Sequence, residues 1–239
     1  AQDEMAGQGL RVLAFAHRAV DQQGPPGDER QMVLAGLIGL EDPPRPEVPP
    51  AIARCREAGI RTIMVTGDHP RTGLAIARQI GLISGEAPTV ISGEQLRLMS
   101  PTQLQLALDA PEILFARVAA EQKMRIVEAL QNKGEIVAVT GDGVNDAPAL
   151  KAADIGIAMG IGGTDVAKEA ADLILLDDNF ASIVSAVREG RTVYDNIRKV
   201  ISWTLPTNGG EALAVIVAIL AGFALPMSPT QILWVHLIL

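Results

Sequence analysis

One stretch, Thr140-Gly141-Asp142-Gly143-Val144-Asn145-Asp146-Ala147-Pro148, constrains this chain more than any other. The run before it, Glu135-Ile136-Val137-Ala138-Val139, is apolar and β-branched and predicts a short buried strand. Two glycines then let the backbone turn sharply and approach a ligand closely. Asn145 and Asp146 stand where a helix would begin, and residues 147–153 continue it. The expected result is two carboxylates and an amide at the C-terminal edge of a sheet, where open α/β folds bind ligands. Carboxylates there suit a hard cation such as Mg²⁺, which takes a few of them and completes its shell with phosphate oxygens. A polar turn followed by an N-cap accounts for the stretch less well, because two carboxylates within about one helical turn repel.

The surrounding pattern predicts the sheet that such an edge needs. Strands are expected over 10–17, 32–40, 61–65, 113–116, 136–139, 155–159 and 173–176. Helices are expected over 47–58, 71–79, 100–108, 121–130 and 147–153. From residue 47 onward strand and helix alternate, which predicts the α/β class with a parallel, doubly wound sheet. Residues 21–30 are rich in glycine and proline and predict a loop. Glu41-Asp42-Pro43-Pro44-Arg45-Pro46 predicts a stiff hinge between domains, because consecutive prolines cannot sit inside a central strand.

After Phe180 the character changes. Residues 180–198 have helical spacing with mixed charge and run into the largely apolar stretch 200–225. About 20 apolar residues span a bilayer. Arg191, Arg198 and Lys199 precede that stretch and predict a cytoplasmic entry. Pro226 and Pro229 mark a turn, and 230–239 begins a second apolar run. The hydrophobic share of 48% is concentrated in this part of the chain, which predicts contact with a lipid bilayer. A formal net charge of −8 argues against a nucleic-acid partner. The single cysteine, Cys55, excludes an intrachain disulfide. The absence of an initiating Met and the closing apolar run predict a fragment of a longer polypeptide.

Phosphate chemistry is suggested by a repeated turn. Thr66-Gly67-Asp68 ends one expected strand, as Thr140-Gly141-Asp142 ends another. Hydroxyls and exposed backbone N–H groups after a strand form an anion site. Lys123, on a helix between the two, adds a compact positive charge. No GxxxxGK[ST] loop, dinucleotide fingerprint, calcium loop, GxSxG elbow or His/Cys metal spacing is present. In the apolar tail, Pro206-Thr207-Asn208-Gly209-Gly210-Glu211 predicts an interrupted helix. An ionisable residue at such depth is costly and usually functional, and freed carbonyls can face a cavity. Asn208 and Glu211, about one turn apart, would share a face.

The 140–148 stretch, Met64-Val65-Thr66-Gly67-Asp68, Phe115-Ala116-Arg117-Val118 with Lys123, and Asp42-Pro43-Pro44-Arg45 together resemble the P-type cation-transporting ATPases of the calcium-pump-like branch. The resemblance runs almost end to end. It implies the C-terminal tail of a nucleotide-binding domain over 1–40 and a haloacid-dehalogenase-like phosphorylation domain over 41–178. A stalk helix over 179–199, a transmembrane helix over 200–225 and the start of another over 230–239 would come after it. In that family an aspartate in a DKTGT segment accepts the γ-phosphate of ATP. No such segment occurs here, and it is expected upstream in the full polypeptide.

By the same resemblance Asp142 would hold Mg²⁺, Thr66 and Gly67 would bind phosphate oxygens, and Lys123 would neutralise developing charge. Asn145 and Asp146 would order the phosphate site, and Arg11, Asp68 and Arg117 would serve the nucleotide. Asn208 and Glu211 would supply oxygens to the transported cation. The implied partners are ATP, that cation, a lipid bilayer and the remainder of the pump polypeptide. The implied location is a bacterial plasma membrane with the phosphorylation domain in the cytoplasm. Phosphoryl transfer asks the protein chiefly for positioning and charge neutralisation, which such a constellation provides. Two alternatives remain: a soluble phosphatase of the haloacid-dehalogenase type, and a non-catalytic truncation that binds nucleotide or a membrane partner. A DKTGT segment upstream of Ala1 separates the pump from both.

Overall fold

The computed structural model describes residues 1–18, 32–41 and 43–238. The expected loop over 21–30 and Asp42 of the expected hinge lie outside the described residues. The chain divides into two compact units, 1–184 and 185–239.

The first unit opens with α1 (Gln2–Gly7) and an antiparallel pair, β1 (Arg11–His17) and β2 (Val33–Leu40), in which Arg11 stands opposite Leu40. Leu13, Phe15, Val33, Leu34 and Ile38 on this pair are exposed. Just before β1, the Leu10 carbonyl accepts at 3.3 Å from the hydroxyl of Thr72, the one buried polar side chain among the described residues, and α1 packs against α3 (Pro70–Gln79).

Then come α2 (Val48–Glu57), β3 (Met64–Val65), α3 (Pro70–Gln79), β4 (Thr89–Ser92), α4 (Gly93–Leu98), α5 (Pro101–Ala107), β5 (Ile113–Ala116) and α6 (Ala120–Gln131). The strands β3, β5 and β4 form a parallel sheet with β5 in the middle. All four β5 residues are buried, and their alternation serves two layers. Phe115 joins Leu96, Leu104, Leu108 and Ile126 beneath α4, α5 and α6. Leu114 joins Ile52, Ala77, Ile80 and Ile83 beneath α2 and α3. The expected strand over 61–65 is reduced to two residues. The four-residue β4 escapes sequence reading because α4 starts directly after it, capped by Ser92 and Gln95 in a capping box.

A second parallel sheet holds β6 (Ala138–Gly141), β7 (Ile155–Met159) and β8 (Leu173–Leu175), with β7 in the middle. A 3₁₀ turn (Val144–Asp146) and α7 (Ala147–Ala152) connect β6 to β7, and α8 (Asp165–Ala170) connects β7 to β8. The expected buried strand at 136–139 is corrected in two ways. It begins at Ala138, and Ile136 lies outside it, 79% exposed. The reason is that β6 is an edge strand, paired among the described residues only with β7, so one flank has no cover. The parallel strands thus form two three-stranded sheets.

The helix α9 (Phe180–Ala221) begins in the first unit and carries the chain into the second, where α10 (Pro229–Ile238) completes the described elements. At 42 residues α9 is the one helix among the described residues long and apolar enough to cross a membrane, with a mean hydropathy of 1.4 over its most apolar stretch. It runs unbroken through Pro206, Gly209 and Gly210, where the sequence predicts an interruption. Pro206 removes one N–H from the ladder. The Thr207 hydroxyl donates to the Trp203 carbonyl, one turn back, at 2.8 Å. The helix ends where Gly222 takes a left-handed φ of 71°.

Candidate active site

Two strand-ending turns and the start of one helix make up the site. After β3, the Thr66 hydroxyl donates to Asp68 Oδ2 at 3.1 Å and accepts from the Asp68 amide at 3.1 Å. This is a local hydroxyl turn of the kind threonine favours. The same turn is stitched to the end of β5: the Val118 amide donates to the Thr66 carbonyl at 3.1 Å, and the Arg117 amide donates to the Asp68 carbonyl at 3.0 Å. Gly67 and Asp68 are exposed, as is Arg117. Arg117 takes a left-handed backbone, φ 51°, a conformation that costs a non-glycine residue on the order of 1–3 kcal/mol.

Six residues on, Lys123 lies in the first turn of α6. Its Nζ reaches Asp146 Oδ1 at 2.5 Å, and the two side chains are only 19% and 13% exposed. The other Asp146 oxygen, Oδ2, accepts from the backbone amides of Gly143 (3.1 Å) and Asp142 (3.3 Å). The carboxylate therefore folds back over the turn at the end of β6. Gly141 makes this possible, since a Cβ there would run into the Asp146 side chain. Burial pushes the Asp146 carboxyl upward. The Lys123 hydrogen bond, the Gly143 amide, the Lys123 charge and the Asp142 amide outweigh it, and the net shift is downward.

Asp142 itself is exposed at the tip of the turn. Its carbonyl accepts from the Thr164 amide at 2.8 Å, which ties the tip to the loop after β7. That loop is held from below by Asp178, whose carboxylate accepts from the Ile161 (2.9 Å) and Gly162 (2.6 Å) amides. Asn145 is exposed in the 3₁₀ turn.

Contacts thus link Thr66, Asp68 and Arg117 on one side, and Lys123, Asp142 and Asp146 on the other, with the start of α6 between them. Arg11 stands on the β1–β2 pair, next to the Leu10 carbonyl that binds Thr72 of α3. Asn208 and Glu211 lie on α9 in the second unit, Asn208 exposed and Glu211 half-buried. Among the described residues no three His, Cys, Asp or Glu side chains converge on a point that could hold a metal. A cation held at Asp142 would need oxygens beyond the carboxylates of this turn. That arrangement fits Mg²⁺ bound with a phosphate, and it does not fit a stand-alone protein cage.

Sequence reading did not single out Gly93, Gln122, Thr164 or Asp178. Gly93 lies in a short strand-to-helix junction and Gln122 is one of many helix glutamines. Only their close approaches in the folded chain distinguish them.

Residues 5–154 match the haloacid dehalogenase-like hydrolases, and residues 122–187 match a second group of the same description. The chain belongs to the haloacid dehalogenase-like hydrolase family. Within it, the similarity to transport ATPases extends over the whole chain. A cation-transporting ATPase, pma1, of Synechocystis sp. is 51% identical over 99% of this chain. A calcium-transporting ATPase of Bacillus subtilis is 49% identical over 98%, and a potassium-transporting ATPase alpha chain of Cavia porcellus is 44% identical over 98%. The chain spans 26% of the length of each of these relatives. The crystal structure of a zinc-transporting PIB-type ATPase in an E2.Pi state superposes with a TM-score of 0.62 at 29% identity, covering 93% of this chain and 29% of that one. The resemblance to the P-type cation-transporting ATPases is borne out. The named ions differ among relatives of similar identity.

Proposed function

We propose that the polypeptide containing this chain is a Mg²⁺-dependent P-type ATPase that drives a cation across a membrane through an aspartyl-phosphate. The observation that carries this reading is the Asp146 carboxylate, clasped by Lys123 and by the amides of Asp142 and Gly143, at the C-terminal end of an edge strand. A second strand-ending turn, Thr66–Asp68, is tied to the same helix start through Arg117 and Val118.

Each residue then has a task. β3 and β6 each keep an edge without a strand partner among the described residues. A strand from elsewhere in the polypeptide, bearing the nucleophilic aspartate, would pair along these edges. Its carboxylate would attack the γ-phosphorus of ATP as the bond to the β-phosphate oxygen breaks, leaving ADP. Thr66 and the Gly67 amide would hold phosphate oxygens. Lys123 would balance their charge, with Asp146 fixing the position of its ammonium group. Asn145 would help order the turn. Arg11, Asp68 and Arg117 would orient the nucleotide. Asp142 would hold Mg²⁺, which supplies Lewis-acid neutralisation of phosphate charge when bound. On α9, Asn208 and Glu211 would offer oxygens to the transported ion, whose identity is left open by relatives named for calcium, potassium and unspecified cations.

The test uses the full-length protein. Asp142→Asn should abolish Mg²⁺-dependent labelling from ATP carrying a labelled γ-phosphate, with the protein still folded by circular dichroism. Undiminished labelling would refute the role of Asp142 and with it the proposed chemistry.

A further inference from the structure

Arg117 and Asp178 are the two non-glycine residues with positive φ among the described residues, at 51° and 50°. A left-handed arginine at the start of a strand-to-helix connection persists only if its surroundings hold it there. Three features do so. On one side the Arg117 amide is bonded to the Asp68 carbonyl at 3.0 Å. On the other side the Arg117 carbonyl lies against Gly93, so close that a Cβ on Gly93 would collide with it. Behind both stands the half-buried Gln122. Its Nε2 donates to the Gly93 carbonyl at 2.6 Å, and its Oε1 accepts from the Ala119 amide at 2.9 Å. The same Oε1 lies 2.9 Å from where a Gly93 Cβ would stand. Gln122 therefore pins β4–α4 to the α6 start and leaves Arg117 one backbone path between Asp68 and Gly93.

We infer that Gly93 and Gln122 are positioning residues for nucleotide binding: they form the seat that holds the Arg117 backbone left-handed and so aims its guanidinium at the nucleotide. This rests on the proposal that Arg117 serves the nucleotide. Gln122 is adjacent in sequence to Lys123, which pairs with Asp146. Neither residue touches ATP in this reading. Their effect passes wholly through Arg117.

The test is a double-mutant cycle in the full-length ATPase, read as KM for ATP, kcat and equilibrium ATP affinity. Arg117→Ala should weaken ATP binding. Gln122→Ala should raise KM for ATP about tenfold, the equivalent of about 1.4 kcal/mol, with kcat changed less than about twofold. Gln122→Glu keeps the acceptor for Ala119 but loses the donor to Gly93, and should not restore affinity. In the Arg117→Ala background Gln122→Ala should have almost no further effect. Gly93→Ala should behave like Gln122→Ala, and if it does not fold, Gln122→Ala alone decides. Equal effects of Gln122→Ala with and without Arg117 would overturn the inference, as would an unchanged KM. If Arg117→Ala leaves ATP affinity intact while Asp142→Asn still abolishes phosphorylation, the seat has no nucleotide role and the transporter reading stands without it.

Discussion

The Asp146 carboxylate accepts from Lys123 and from two backbone amides, and all three bonds depend on the side chain folding back over Gly141. Gly141→Ala should therefore displace Asp146 and lower the rate of phosphoenzyme formation by about tenfold or more, roughly 1.4 kcal/mol of barrier, in rapid-quench labelling. Burial favours the neutral acid, but Lys123 and the amides win, so the folded carboxyl titrates below the unfolded value of about 3.9. A depressed carboxyl contributes stability that is fully present above the unfolded value and is lost as pH falls through the folded one. The contribution of Asp146 should thus hold at neutral pH and fade below about pH 4. Lys123→Met removes the strongest opposing bond, so the Asp146 titration, followed by the Gly143 amide shift in NMR, should move to higher pH. An unmoved titration would show that the two amides alone set it.

Among the elements, β5 carries the packing and α9 the reach. Phe115 is fully buried among helices α4, α5 and α6. Phe115→Ala should cost about 3–5 kcal/mol in denaturant unfolding, because a ring-sized void in a close-packed interior leaves its lining without partners. The start of α9 is capped in two steps. The Asn179 side chain accepts from the Ala181 amide at 3.0 Å, and Asp177 accepts from the Asn179 amide at 3.1 Å and from the Ser182 hydroxyl at 2.5 Å. Arg45 donates to the Asp177 carbonyl at 3.2 Å, which joins the proline-rich connection to the root of this helix. Farther along, Asn208 and Glu211 are three positions apart on continuous helix, so they lie near one face. Glu211→Gln should reduce ion-stimulated ATP turnover about tenfold or more while phosphoenzyme formation from inorganic phosphate persists. Unchanged ion dependence would remove Glu211 from the transport path.

Across the chain, the two units carry different chemistry: an α/β unit over 1–184 with the two Thr-Gly-Asp turns, and a helical unit over 185–239 with the apolar stretch of α9. The chain matches over 98–99% of its own length and spans 26% of each transport ATPase. The β1–β2 pair exposes Leu13, Phe15, Val33 and Leu34, and β6, which among the described residues pairs only with β7, exposes Ala138 and Thr140.

Much of this was legible from residue order, because it depends on local chemistry. Periodicity of two or three to four residues specifies strand or helix. Glycines and carboxylates after a β-branched run specify a tight polar turn, and a long apolar run specifies a long apolar helix. The strand–turn–helix units, the Thr66–Asp68 and Thr140–Asp146 turns and α9 were readable on those grounds. Bonds between residues far apart in the chain were not. The Lys123–Asp146 pair closes a separation of 23 residues, and the Gly93–Gln122 seat closes 29. No local pattern encodes which distant backbone will press on Gly93, or that a plain helix glutamine will meet it. The same holds for β6, whose exposure comes from which strands lie beside it, and for α9, which stays helical through Pro206, Gly209 and Gly210 although these residues locally predict a break. Folding selects such contacts by packing and by the need to satisfy buried polar groups, and these depend on where separate segments meet in space.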